Sequence, residues 1–327
     1  MNKKWVIVIQ AMIILLLIIF LVREQLEDNK VSNKQGLLSP RIYSGILEPK
    51  SYLIINFVPL KKELESYIND RNLTVSIYLV NLRDGASMSI DSYRAYAPAS
   101  LSKVPVAILM MKKVEEGKIA LDTPLEIREE DREENSGNLY QTKEKTLPLN
   151  TLFEDMLTKS DNTAFKIMLR YLEKDDEEIL SNYWDFFSLD NRPQQGQKGE
   201  TNLVTARSIY NIFLSLYLST VLEPQHSEYI LSLLTDTLFD IKKIAQLPDD
   251  VRVAHKYGVR EDDKVKVFHD CGILYIEEMR MFYCVMTSDL SQEKAAQHIG
   301  YSVNKIYHYV NGTRTNLNKF KEKELEN

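Results

Sequence analysis

A run from Trp5 to Val22 (WVIVIQAMIILLLIIFLV) passes 18 positions without a charged residue. A soluble helix carries a polar face, and this stretch carries none; its length is about the minimum that crosses a hydrocarbon core as a helix. Lys3 and Lys4 precede it, while Arg23, Glu24, Glu27 and Asp28 follow. The positive-inside bias then predicts a cytoplasmic stub (1–4), a single-pass membrane anchor (5–22) and everything else outside the cytoplasm, at the cell membrane. LVREQLED offers no small-residue cleavage site and no Cys follows to carry a lipid, which favours an uncleaved anchor over a cleaved signal peptide. Residues 23–50 are polar, aperiodic and punctuated by Pro40 and Pro49, as in a tether.

What remains reads as one domain, 51–312, followed by a charged tail, 313–327. Residues 52–69 predict an amphipathic helix. LTVSIYLVNL (73–82), the Asp84-Gly85 turn and ASMSI predict a hairpin. SLSKVPVAILMMKKVEEG (100–117) predicts a strongly apolar, central helix that ends at a glycine. LNTLFEDML, TAFKIMLRYL and ARSIYNIFLSLYL have helical spacing. VKVFHDCGILYI and RMFYCVMTSD read as strands, and AAQHIGYSVNKIYHYV as a closing helix. The expected class is therefore α+β: an antiparallel sheet built from both ends of the domain (51–118 and 205–312), flanked by helices, with an inserted helical lobe (119–204). If the last hairpin turns about Glu277 and Glu278, Cys271 and Cys284 fall opposite each other, as a cross-strand disulfide or as two buried thiols.

The balance of 41 basic against 47 acidic residues leaves no broad cationic surface, so nucleic acid is not an expected partner. Two cysteines exclude a disulfide-dense scaffold and a Cys-ligated zinc framework. The five histidines show no metal spacing and no glycine loop would cradle a phosphate, so neither metal nor organic cofactor is expected, and the chain is expected to be a monomer. The run REEDREE (128–134) reads as a solvated helix face or loop.

Ser100-Leu101-Ser102-Lys103 opens the central helix, and a spacing of three places hydroxyl and amine on one face. A Lys with a pKa lowered by burial could take the Ser100 proton, and the helix amino terminus favours developing negative charge. Two further S-x-x-K matches, Ser291 to Lys294 and Ser302 to Lys305, carry no such context. Ser160-Asp161-Asn162 lies between two helical runs, where its Ser could relay a proton and its Asn could hold an amine and an amide; a plain helix cap is the blander reading. Lys256-Tyr257-Gly258 follows a strand start, VRVAH, and offers a cation beside a strand edge open to a substrate backbone.

In this order and spacing the three elements resemble those of the penicillin-recognising serine hydrolases, most closely the class A β-lactamase family. Ser136-Gly137-Asn138-Leu139 is similar to the family's Ser-Gly-x-Leu loop, SDNTA runs into a helix as there, and His269-Asp270 resembles the Asp-bearing strand after the third motif. The resemblance spans roughly residues 50 to 310 and implies a β-lactamase/transpeptidase-like fold. It implies that Ser100 is acylated, that Lys103 and Ser160 move protons, and that Asn162, Lys256, Tyr257, Gly258 and Arg260 bind substrate. The oxyanion hole would combine the N–H of Ser100 with one on the strand after Gly258, at Arg260.

Two departures matter. Tyr257 stands where the family has a Thr or Ser that bonds a substrate carboxylate. The family's E-x-x-L-N loop, whose Glu activates water to free the acyl-enzyme, has no counterpart in FFSLDNRPQQGQKGETNLVTAR, where Glu200 and Asp190 are the acids within reach. Hydrolysis of β-lactam amides is the expected activity. A D-alanyl-D-alanine peptidase acting on peptidoglycan stem peptides, slow to deacylate, is the alternative. A non-catalytic module that binds cell-wall peptides or a partner is the alternative of another class, and a Ser100 hydroxyl more than about 5 Å from the Lys103 amine would favour it.

Overall fold

The computed structural model describes residues 55–174, 177, 179, 182, 203–263, 265–277 and 279–325, with side chains up to residue 313. The expected stub, anchor and tether lie outside the described residues; among those described, no helix is long and apolar enough to cross a membrane.

Helix α1 (Val58–Asn69) carries Pro59 in its first turn and buries Leu60, Leu64 and Ile68 on one stripe. It begins later than the predicted residue 52. Strands β1 (Thr74–Asn81) and β2 (Ser87–Ile90) form the expected hairpin, with Tyr78 opposite Ser89. Its turn is closed by Asp84, which accepts from Asn81 Nδ2 at 2.9 Å and from the Ala86 N–H at 2.8 Å. A 3-10 turn (Ala99–Ser102) leads into α2 (Lys103–Glu115), whose Val104, Val106, Ala107, Ile108, Met110 and Met111 are all buried. A helix apolar on every side has to lie inside the protein, and α2 is the central one.

The inserted lobe holds α3 (Leu149–Thr158) and α4 (Asn162–Glu173) and, beyond expectation, a small antiparallel pair, β3 (Pro124–Glu126) with β4 (Thr146–Pro148). Strands of three residues are too short to show a period in sequence. The chain returns through α5 (Ala206–Tyr217), α6 (Pro224–Leu233) and the short α7 (Ile241–Ile244) to β5 (Arg252–Glu261), β6 (Lys266–Ile276) and β7 (Met279–Ser288). Helix α8 runs Gln292–Leu325, so the segment expected as a tail from 313 continues the helix.

The five strands form an antiparallel sheet of order β2-β1-β7-β6-β5, the arrangement predicted from both ends of the domain. One face packs on α1 and α8, through Ile77, Leu79, Tyr283 and Val285 against Leu60, Leu64, Ile299, Val303 and Ile306. Full burial of each such aliphatic side chain contributes about 1.5–3 kcal/mol. Cys271 and Cys284 face each other across β6 and β7 and are joined as a disulfide, which decides between the two possibilities left by the sequence. Strand β5 is an edge, and its open side faces the 3-10 turn and the loop before α4.

Candidate active site

The turn that carries Ser100 is held from below. His269 Nε2 lies 2.9 Å from the Ala97 carbonyl, and Ala99 adopts φ +47°, a left-handed conformation rare for a residue with a Cβ. Gly258 on β5 permits the close approach: a Cβ there would stand 3.0 Å from the Ser100 nitrogen and 3.2 Å from that of Leu101.

Lys103 is 2% exposed, and its Nζ lies 2.8 Å from Ser100 Oγ and 2.6 Å from Asn162 Oδ1. Burial pulls its pKa down to about 7, against the opposing pull of the Asp161 and Glu133 carboxylates. A substantial fraction of the amine is then free base at neutral pH.

On the far side, Ser160 takes φ +58°. Asp161 caps α4 by accepting from the Ala164 N–H at 2.9 Å, while its other oxygen accepts from the Leu139 N–H at 2.9 Å. The cap reading thus holds for Asp161, and its neighbours Ser160 and Asn162 face the site. The Ser136 carbonyl accepts from the Asn162 N–H at 3.0 Å. Gly137 sits at φ +80° so close to the cap that a Cβ would fall 1.9 Å from Asp161 Oδ2.

Lys256 is fully buried, and its Nζ donates to Ser160 Oγ at 2.9 Å and to the Tyr257 carbonyl at 3.0 Å. Burial and the nearby Lys103 push its pKa well below the usual lysine value, and Asp270 opposes them. Asp270 belongs to a buried chain: it accepts from the Tyr283 hydroxyl at 2.5 Å, lies 2.7 Å from His255 Nδ1, and His255 Nε2 lies 2.7 Å from Thr237 Oγ1. The Tyr257 ring packs with Phe239 and Phe268, at 5.5 and 6.5 Å between centroids, and lies 4.3 Å from Lys256 Nζ. It lines the edge of the site and does not separate Lys256 from Ser160.

Ser100, Lys103, Ser160, Asn162, Lys256, Tyr257 and Gly258 therefore converge on one edge of the sheet. Arg260 requires a correction. The His255 N–H donates off the sheet to Leu234 at 2.9 Å, and the register of β5 with β6 is unbroken. Donors alternate sides along an antiparallel strand, so the N–H groups of Tyr257 and Val259 face the open edge while that of Arg260 points into the ladder. The N–H next to Gly258 on the Ser100 side is that of Val259. The Arg260 side chain pairs with Asp262 at 2.8 Å, and Lys266 with Glu261 at 3.3 Å. Glu200 and Asp190, the expected deacylation acids, lie outside the described residues.

The charge run 128–134 is for the most part the solvated loop expected, with Arg128, Glu129, Glu130 and Glu134 exposed, and Asp131 is its exception. Asp131 is 2% exposed and takes a two-point contact from Arg170, at 2.9 and 2.8 Å. Glu133 pairs with Lys166 at 2.6 Å. Among the described residues, no group of three or more His, Cys, Asp or Glu is placed to hold a metal ion.

A model described as the Beta-lactamase enzyme family matches residues 59–310. No curated protein matches the sequence. Among solved structures, PBP-A superimposes with a TM-score of 0.68 at 22% identity, over 82% of this chain and 100% of that one. The TLA-1 extended spectrum beta-lactamase does so at 0.67 and 18%, over 77% and 98%. The beta-lactamase from Sphaerobacter thermophilus does so at 0.67 and 18%, over 79% and 99%. At such identities the likeness is one of fold, the penicillin-recognising serine hydrolase fold.

Proposed function

We propose, from the premise that this chain belongs to the Beta-lactamase enzyme family and is a serine hydrolase, that it cleaves β-lactam amides through an acyl-Ser100 intermediate. The observation that carries this reading is the Lys103 amine, 2.8 Å from the Ser100 hydroxyl with a pKa drawn down to about 7. That distance is well inside the 5 Å or so beyond which a non-catalytic binding module would be favoured.

The free-base form of Lys103 takes the Ser100 proton as Oγ attacks the amide carbonyl. The oxyanion accepts from the N–H groups of Ser100 and Val259, which stand ready before charge develops. Asn162 holds the Lys103 amine in place. The leaving nitrogen receives its proton through Ser160, whose hydroxyl is fixed by Lys256 at 2.9 Å. Lys256 and the Tyr257 edge meet the substrate's carboxylate side.

A second reading, a D-alanyl-D-alanine peptidase, is favoured by one feature. The Tyr257 ring, packed at a tilt against Phe239, occupies the corner where the family carries a short hydroxyl. Residues 5–22 support a single-pass anchor that would hold the domain, as a monomer, at the outer face of a membrane, in reach of either substrate.

Intact mass spectrometry of residues 45–327 with penicillin G tests the reading. A covalent adduct is expected on the wild type and none on Ser100→Ala. Rapid loss of the adduct with product release would identify a β-lactamase, and persistence a penicillin-binding peptidase. A folded wild type that forms no adduct would sink both.

A further inference from the structure

Three neighbours take up the amine of Lys256. Its Nζ donates to Ser160 Oγ at 2.9 Å and to the Tyr257 carbonyl at 3.0 Å, and the Tyr257 ring lies against it with its centroid 4.3 Å away. An ammonium has three hydrogens to give, so these contacts leave none for a ligand. The residue is 0% exposed and offers no surface that a substrate could touch. Burial, with the nearby Lys103, also holds its pKa well below the usual lysine value, which weakens the positive charge at this corner.

The covering ring is braced. Phe239 packs on it at 5.5 Å between centroids and on Phe268 at 5.0 Å. Beside Phe239, the Leu238 N–H donates to the Thr158 carbonyl at 3.0 Å, two residues before Ser160, and the Leu238 side chain is left 68% exposed. The corner is thus walled by Leu238, Phe239 and Tyr257. The charges next to that wall are acids, Asp236 and Asp240, both exposed. The cations farther along β5 and β6, Arg260 and Lys266, are paired with Asp262 and Glu261. A substrate carboxylate therefore finds a shielded cation and apolar rings where an open ammonium and a short hydroxyl would have bound it.

We infer that the Tyr257 ring makes acylation of Ser100 indifferent to a free carboxylate on the substrate, so that amides and esters with an uncharged group on the Lys256 side are substrates as well. The inference rests on the acyl-serine reading above and makes Tyr257 the residue that sets this specificity. Lys256 keeps its task of fixing the Ser160 hydroxyl.

Penicillin G and its methyl ester differ in the charge at this corner, and their rates of adduct formation on the full chain, followed by intact mass, test the inference. On the wild type the two rates are expected to agree within about threefold, whereas Tyr257→Thr, which uncovers Lys256 and adds a short hydroxyl, is expected to prefer the free acid by about tenfold or more, the gain from a hydrogen bond to a charged group. Tyr257→Phe keeps the ring face and is expected to keep the wild-type ratio. A wild type that prefers the free acid as strongly as the Thr variant should overturns the inference. So does a folded Tyr257→Thr that stays indifferent, or a Tyr257→Phe that gains the preference. If Tyr257→Thr shows no cooperative melt, the wild-type ratio decides alone. An adduct with the free acid only overturns the inference and leaves acyl-Ser100 chemistry standing; an adduct with neither compound removes both.

Discussion

Lys103 ties function to stability at a single residue. With a folded pKa of about 7, its free-base fraction grows as pH rises through that value, so the acylation rate should rise from pH 5.5 to 8.5 with a midpoint near 7. A flat profile would remove Lys103 from the role of base. Folding carries the opposite sign from a salt-bridged lysine. The folded value lies below the unfolded 10.5, so between about 7 and 10.5 the unfolded chain holds more protons and stability rises with pH; below 7 the cost of burying the ammonium is constant. Lys103→Met should therefore be inactive yet more stable than wild type in urea titrations at pH 6, by a margin that narrows at pH 9. Ser100, Lys103, Ser160, Asn162 and Lys256 were legible in the sequence because local spacing and chain order carry their chemistry. Val259 was not, since which N–H faces outward depends on the phase of β5, set by a bond from His255 to Leu234 on another element.

Among the elements, the meeting of β5 with the 3-10 turn depends most on one side chain being absent. Gly258→Ala would place a methyl 3.0 Å from the Ser100 nitrogen, with backbone rather than a flexible side chain in the way. Acylation should fall at least tenfold while the thermal midpoint moves by only a few degrees, since β5 keeps its ladder with β6. A variant that acylates normally would show that the turn has room to give. The elements themselves were largely readable: the apolar α2, the first hairpin, and a last hairpin symmetric enough to pair Cys271 with Cys284. The pair β3 and β4 was not, because its strands are shorter than one could recognise by alternation and owe their pairing to the lobe around them.

For the whole molecule, the decisive contact is β1 against β7, which joins strands about 200 residues apart. Non-local pairing of this kind is reached late, after its loop-closure cost has been met. A chain truncated after residue 264 keeps Ser100, Lys103, Ser160, Asn162 and Lys256 but lacks β6, β7 and α8. It should show no cooperative melt and no adduct with penicillin G; an adduct on that fragment would mean that the site assembles without the sheet. Synthesis proceeds from the amino end, so the serine is made long before the strands that seat it. The growing polypeptide carries the future nucleophile as an ordinary hydroxyl, and reactivity arrives only when the last strand slots in between β1 and β6. The order of translation thereby acts as a safety catch: a half-made copy holds the serine without the site that would make it reactive.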